Sequence, residues 1–246
     1  MEDLHGKVKY GQGYYDFDEG GMVFVSPNQL LKAPAEADEC EGVNVFVHPD
    51  FLLGSQLAGN IKKYNFFSYA TNEALHLSDK EKSTIMSIYE IIEDELESRI
   101  DDFSQDIVIS QLDLLLNYSK RFYRRQFITR KAVNNDLLTN LEQALENYLN
   151  SDTPLSKGLP TVQCLAEQLH VSPHYLSDML RALTGQNALQ HIQGKLIEKA
   201  KEILSTSNLT VAEVAYRLGF EQPQSFNKFF KNKTKISPLE FRQSFN

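Results

Sequence analysis

"SPHYLSDMLRALTG", residues 172–185, decides how this chain is to be read, because its pattern of residue classes returns fifty residues later as "QPQSFNKFFKNKTK", residues 222–235. Only the proline and the threonine are identical; what repeats is a set of roles. Leu176, Met179 and Leu180 return as Phe226, Phe229 and Phe230, and Arg181 returns as Lys231. Upstream, Thr161, Val162, Ala166 and Leu169 recur forty-nine residues on as Thr210, Val211, Ala215 and Leu218, with one extra residue near Glu221. Apolar residues spaced by three and four mark amphipathic helices. Each copy therefore reads as two short helices around a tight turn. In the second, Thr210-x-x-Glu213 is a capping box and Gly219 ends the helix; in the first, Ser172 caps the second helix and Pro173 takes its first position. This is a helix-turn-helix layout, in which the second helix enters the major groove of DNA.

The outer faces of the two second helices carry the chemistry. With Leu176, Met179 and Leu180 turned inward, His174, Ser177, Asp178 and Arg181 lie on the opposite face. The second copy buries its phenylalanines and presents Gln224, Asn227, Lys228 and Lys231 at the same spacing. Gln and Asn pair bidentately with adenine, Lys reaches guanine or a phosphate, and Asp accepts from the cytosine amino group. The bland alternative is a pair of solvated polar faces. Between the copies, "NALQHIQGKLIEKAKEILSTS" marks a connecting helix with Ile192, Leu196, Ala200 and Ile203 or Leu204 on one face. About eighteen helical residues at ~1.5 Å each span ~27 Å, comparable to the ~34 Å between successive major-groove faces. Lys195 and Lys199 lie on or beside this strut, as phosphate contacts on one reading and as solvated charges on the other.

The run from about Pro160 to Phe245 resembles the DNA-binding domain of AraC/XylS-type transcription regulators. The residues that carry the resemblance are "LAEQLHVSPHYLSDMLRALTG", "LIEKAKEIL", "VAEVAYRLGFEQPQSFNKFFK" and "SPLEFR", a third of the chain. It implies two reading helices in adjacent major grooves of promoter DNA, hence sequence-specific control of transcription rather than an enzymatic role; a cytoplasmic protein is the default expectation. The positions matching the family's base-facing sites are His174, Ser177, Asp178, Gln224, Ser225, Asn227 and Lys228; Arg181, Lys195, Lys199 and Lys231 are the expected phosphate contacts. The N-terminal part resembles a shortened form of the cupin-type effector and dimerisation domain of such regulators. A homodimer is implied, with RNA polymerase and an unidentified small-molecule effector as further partners.

The rest of the chain supports a two-part organisation. Residues 1–151 hold 14 Lys+Arg against 25 Asp+Glu, whereas residues 152–246 hold 11 against 8, so the net charge of −8 conceals a mildly basic C-terminal part. From Val8 to about Val47, runs such as "KVKYGQGYY", "GMVFVS" and "VNVFVH" read as β-strands. Asp16, Asp18 and Glu19 then form a solvated edge, or Tyr10, Tyr14, Tyr15 and Phe17 line an effector site. Ser78-x-x-Glu81 opens a helix running to about Arg99; a second starts near Ser104, and a third covers about Asn135 to Leu149. "KRFYRRQFITRK" is either a further phosphate contact or a partner for nearby acidic residues. "SDTPLSKGLP" reads as a linker.

The expected fold is therefore mainly α: a small, partial cupin-like β region plus helices over 1–150, a linker over 151–159, and an all-α double helix-turn-helix domain over 160–246. The six histidines show neither an HxH nor an HExxH spacing, and Cys40 and Cys164 have no metal-ligand neighbours, so neither metal nor cofactor is expected. No catalytic constellation stands out. The N-terminus lacks a signal-peptide core, and no run is long and apolar enough for a membrane span. A protein-interaction module acting through the acidic N-terminal part is the second reading.

Overall fold

The computed structural model describes residues 7–10, 13–16, 20–29 and 42–245. His5, Phe17, Asp18, Glu19 and Cys40, and the side chains of Tyr10, Tyr14, Tyr15 and Asp16, lie outside that description, so the expected effector lining and acidic edge do too. Contacts divide the chain into two compact units, residues 1–129 and 130–246. Counted by these units, the first holds 12 Lys+Arg against 22 Asp+Glu and the second 13 against 11.

In the first unit β1 (Lys7–Tyr10) pairs antiparallel with β2 (Gly13–Asp16), and β3 (Gly21–Met22) pairs antiparallel with β4 (Leu75–His76). These two pairings are the sheet structure among the described residues. The strand expected in "VNVFVH" does not form: residues 42–48 take no ladder pairing, and Phe46 is 93% exposed. Alternating apolar residues give a segment the propensity for a strand, but a strand exists only where a neighbour supplies N–H and C=O partners. A short helix, α1 (Gln56–Asn60), follows.

The unit's core is a helical pair. In α2 (Asp79–Glu97) Ile85, Ile88 and Ile92 are buried, and in α3 (Ser104–Thr129) Val108, Leu112, Leu115, Phe122, Tyr123 and Phe127 are buried. Ser78 N–H donates to Glu81 Oε2 at 2.9 Å, so the expected capping box is present. Phe66 links the segment before α2 to α3, its ring 4.4 Å from Phe24 and 5.6 Å from Tyr123. Buried Gln126 explains β4: its Oε1 accepts from His76 N–H at 2.7 Å and its Nε2 donates to the Ala74 carbonyl at 3.1 Å. A buried amide with both ends engaged satisfies backbone groups that would otherwise be orphaned.

Within "KRFYRRQFITRK", Arg125 pairs with Glu81, Nε to Oε1 at 3.0 Å and Nη2 to Oε2 at 2.5 Å, and Nη2 also donates to the His76 carbonyl at 2.6 Å. Burial pushes the Glu81 carboxyl up, but the Ser78 amide and the Arg125 guanidinium outweigh it and hold the group below the usual carboxylate range. This arginine is structural.

The second unit opens with α4 (Lys131–Asn150), whose Leu141, Ala144, Leu145, Tyr148 and Leu149 are buried. α4 packs on α6 (Val162–Gln168) and α8 (Ala188–Thr206), which assigns it to the C-terminal unit and moves the division from the expected residue 150 to 129/130. Its apolar stripe is visible in the sequence; which partner covers that stripe is not. The expected linker is also folded. It contains α5 (Thr153–Lys157), started by Pro154, closed by Gly158 at φ +79°, and packed on α9 (Val211–Arg217). Proline at a helix start and glycine at its end are helix punctuation as much as loop composition. The unit is completed by α7 (Pro173–Thr184), α10 (Pro223–Thr234) and α11 (Pro238–Gln243).

Candidate nucleic-acid interface

α6–α7 and α9–α10 are the two helix-turn-helix copies, and their turns are chemically equivalent. His170 and Gly219, forty-nine residues apart, both adopt left-handed backbone, φ +56° and +93°. Val171 N–H donates to the Ala166 carbonyl and Phe220 N–H to the Ala215 carbonyl, each at 3.0 Å. Both turns thus close with the same bond six residues wide, which satisfies a helix-terminal carbonyl. Gly219 announces this conformation in the sequence. His170 does so only through its alignment with Gly219.

The two identical residues of the repeat now have roles. Pro173 and Pro223 each occupy the start of the second helix of their copy, where no N–H is needed. Thr184 Oγ1 donates to the Leu180 carbonyl and Thr234 Oγ1 to the Phe230 carbonyl, both at 2.8 Å, at the other end. Each helix then finishes in left-handed backbone, at Gly185 (φ 77°) and Lys235 (φ 71°). A side chain there costs about 1 kcal/mol relative to glycine. Lys235→Gly is accordingly expected to raise stability by about 1 kcal/mol in urea unfolding, while weakening any DNA binding by removing a cation. The repeat also reaches further than expected. Asn187-x-x-Gln190 opens α8 with the same reciprocal capping box as Ser237-x-x-Glu240 opens α11.

The second helix of each copy turns an apolar face inward. Leu176, Met179 and Leu180 are 0% exposed in α7, as are Phe226 and Phe230 in α10, with Phe229 half-buried. On α10 the outward residues Gln224, Ser225, Asn227, Lys228 and Lys231 are all exposed. Lys233 and Lys235, which the repeat pattern does not single out, are exposed on or just beyond the same helix. On α7 His174 and Arg181 are exposed, and Ser177 and Asp178 are half-buried. Arg181 Nη1 donates to Asp178 Oδ1 at 2.9 Å. The two charges neutralise one another, so the first helix offers little net charge and the second offers a row of lysines.

The strut lysines expected to contact phosphate each have an acidic neighbour. Lys195 pairs with Glu198 at 3.8 Å and Lys199 with Glu202 at 2.8 Å, and both lysines line a groove shared with Glu146, Leu149 and Asn150 of α4. The structure therefore groups Lys195 and Lys199 with acidic side chains and α4. His191, also on α8, touches Thr184 Oγ1 through Nε2 at 2.8 Å; burial pushes its imidazole below the usual range, partly offset by Glu142. Among the described residues no cluster of His, Cys, Asp and Glu has metal-site geometry, and no helix is long and apolar enough to cross a membrane.

Residues 165–244 match a family model described as a helix-turn-helix domain. Among curated proteins, this chain is 27% identical over 139 residues to the uncharacterized HTH-type transcriptional regulator YfiF of Bacillus subtilis, covering 56% of this chain and 41% of YfiF. It is 28% identical over 141 residues to the HTH-type transcriptional activator RhaS of Salmonella paratyphi B, covering 57% and 46%. The matched part thus spans less than half the length of these curated relatives. Among solved structures, the C-terminal domain of the two-component response regulator yesN from Fusobacterium nucleatum is 31% identical, with a TM-score of 0.36, covering 42% of this chain and 98% of that domain. The DNA-binding domain of AdpA, solved with a target DNA, is 28% identical with a TM-score of 0.38, covering 44% and 91%.

Proposed function

We propose that this chain, whose C-terminal unit carries a helix-turn-helix domain of the AraC/XylS family, is a transcription regulator that reads promoter DNA with α7 and α10 in successive major grooves. The observation that carries this reading is the pairing itself. Two helix-turn-helix copies with matching turns, and with second helices that bury Leu176, Met179 and Leu180 or Phe226 and Phe230, flank a 19-residue strut in the chain. At ~1.5 Å per residue the strut is about 28 Å long, close to one helical repeat of the duplex. Gln224 and Asn227 are the main base readers, with Ser225 and Lys228 beside them. His174 and Ser177 read from the first helix, where Asp178 orients Arg181. Lys231, Lys233 and Lys235 hold phosphates. Lys195 and Lys199, paired with glutamates, contribute at most secondary contacts.

Activation, the direction named for the relative RhaS, is the regulatory outcome we assign, with RNA polymerase as the partner and control by a small effector through the first unit. Self-association is assigned to the first unit, where Ile107, Leu114 and Ile128 of α3 and Ile91 and Leu96 of α2 are exposed apolar side chains. Sedimentation at micromolar concentration is expected to show a dimer; a monomer throughout would remove this part of the reading.

The DNA reading is tested by selecting duplexes from a random pool and titrating them at several salt concentrations. Each neutralised phosphate contributes about 0.9 to the slope of log affinity against log salt, so the lysines of α10 alone predict a slope of about −3 to −4. Equal binding to every sequence, or to none, would sink the proposal and favour a protein-interaction role for the acidic first unit.

A further inference from the structure

The segment joining α4 to α6 touches the second reading unit at backbone contact. Gly158 and Gly219 both have positive φ, +79° and +93°, and they pass so closely that a Cβ on Gly219 would lie 2.5 Å from the Gly158 carbonyl carbon, 2.6 Å from its oxygen and 2.9 Å from Leu159 N. No side chain fits between them. Gly219 therefore needs to be glycine twice over, once for its left-handed turn and once for this crossing.

The crossing strand is anchored on both sides. Tyr148 Oη, on α4, donates to the Gly158 carbonyl at 3.0 Å, and Gly158 N–H donates to the Pro154 carbonyl at 2.9 Å, closing α5. Pro154 and Pro160 are buried at its two ends, and α5 packs on α9. A continuous path thus runs from α4, which packs on α6 of the first copy, through Tyr148 and Gly158 to Gly219, in the turn from which α10 departs. The α8 strut joins the same two copies by another route. A single rod sets a distance but lets its ends twist about the rod axis; a second attachment off that axis removes the twist.

We propose that residues 151–159 are a brace that fixes the second reading helix in rotation and spacing relative to the first, with Tyr148, Gly158 and Gly219 as positioning residues for DNA reading. The proposal rests on the DNA-reading role assigned above. It makes the protein intolerant of altered half-site spacing, because one inserted base pair changes both the distance and the angle between groove faces, by about 3.4 Å and about 35°.

The test uses the full chain and three variants: Thr153–Lys157 replaced by Gly-Ser-Gly-Ser-Gly, Tyr148→Phe, and Gly219→Ala. Without DNA, hydrogen exchange is expected to quicken about tenfold or more in α9 and α10 of the replaced-segment variant, with α6 and α7 unchanged. Tyr148→Phe should show a smaller change of the same kind. On duplexes selected by the unaltered chain, a one-base-pair insertion between half-sites is expected to cost the unaltered chain about tenfold or more in affinity and the replaced-segment variant only about two- to threefold. If Gly219→Ala unfolds the unit, the other two variants decide. Unchanged exchange in α9 and α10, an unchanged insertion penalty, or loosening spread evenly over residues 130–246 would each overturn the brace. If the unaltered chain selects no duplex, the DNA-reading role fails and the exchange measurement still decides the brace.

Discussion

Phe226→Ala is expected to lower the stability of the second unit by about 3–5 kcal/mol. The ring is 0% exposed, lies 5.3 Å from Phe220 in edge-on contact and 5.8 Å from Phe230, and belongs to α10. Removing it takes away its transfer free energy and leaves a cavity beside Phe220, in the turn before α10, and Phe230, one turn further along α10. Domains of this size hold about 5–15 kcal/mol in total, so the loss is a large share of what keeps α10 in place. Urea unfolding of the full chain, with half-buried Phe229→Ala as the milder comparison, measures it. A loss below about 1 kcal/mol would mean that the phenylalanine core is looser than its burial indicates.

Asn227→Ala is expected to weaken binding to a selected duplex by about 1–3 kcal/mol, or roughly five- to 150-fold, and to relax base preference at one position. Stability should hardly change, because Asn227 is exposed on the face of α10 opposite the buried Phe226 and Phe230. Lys231→Ala provides the contrast: a similar loss for every sequence and a salt slope shallower by about one. The two variants separate reading from holding. If Asn227→Ala lowered affinity equally for all duplexes, the outward face of α10 would be rotated from the assignment made here.

Much of the C-terminal unit was legible in the chain because helix caps and apolar spacing are local. Ser172 and Thr210 act as the caps their spacing predicts, and the buried residues of α7 fall where their spacing of three and four puts them. The repeat added what one copy could not, since two copies aligned at a constant offset constrain which face turns inward. The N-terminal unit was less legible for the opposite reason. Strands exist through partners distant in sequence, so "VNVFVH" looked like a strand and is not one, while Leu75–His76 pairs with Gly21–Met22 across more than fifty residues.

Residue order alone thus determined the helices of the two repeat copies, most of their caps, the doubling of the helix-turn-helix and the buried face of its second helices, all of which depend on neighbours within a turn or two. Tertiary packing decided the rest. It assigned α4 to the C-terminal unit, turned an apparent linker into a folded segment against Gly219, tied Arg181 to Asp178, and set Lys195 and Lys199 among glutamates. Each of these depends on which surfaces meet in space, and an amphipathic stripe or a charged side chain specifies that it needs a partner without specifying which one.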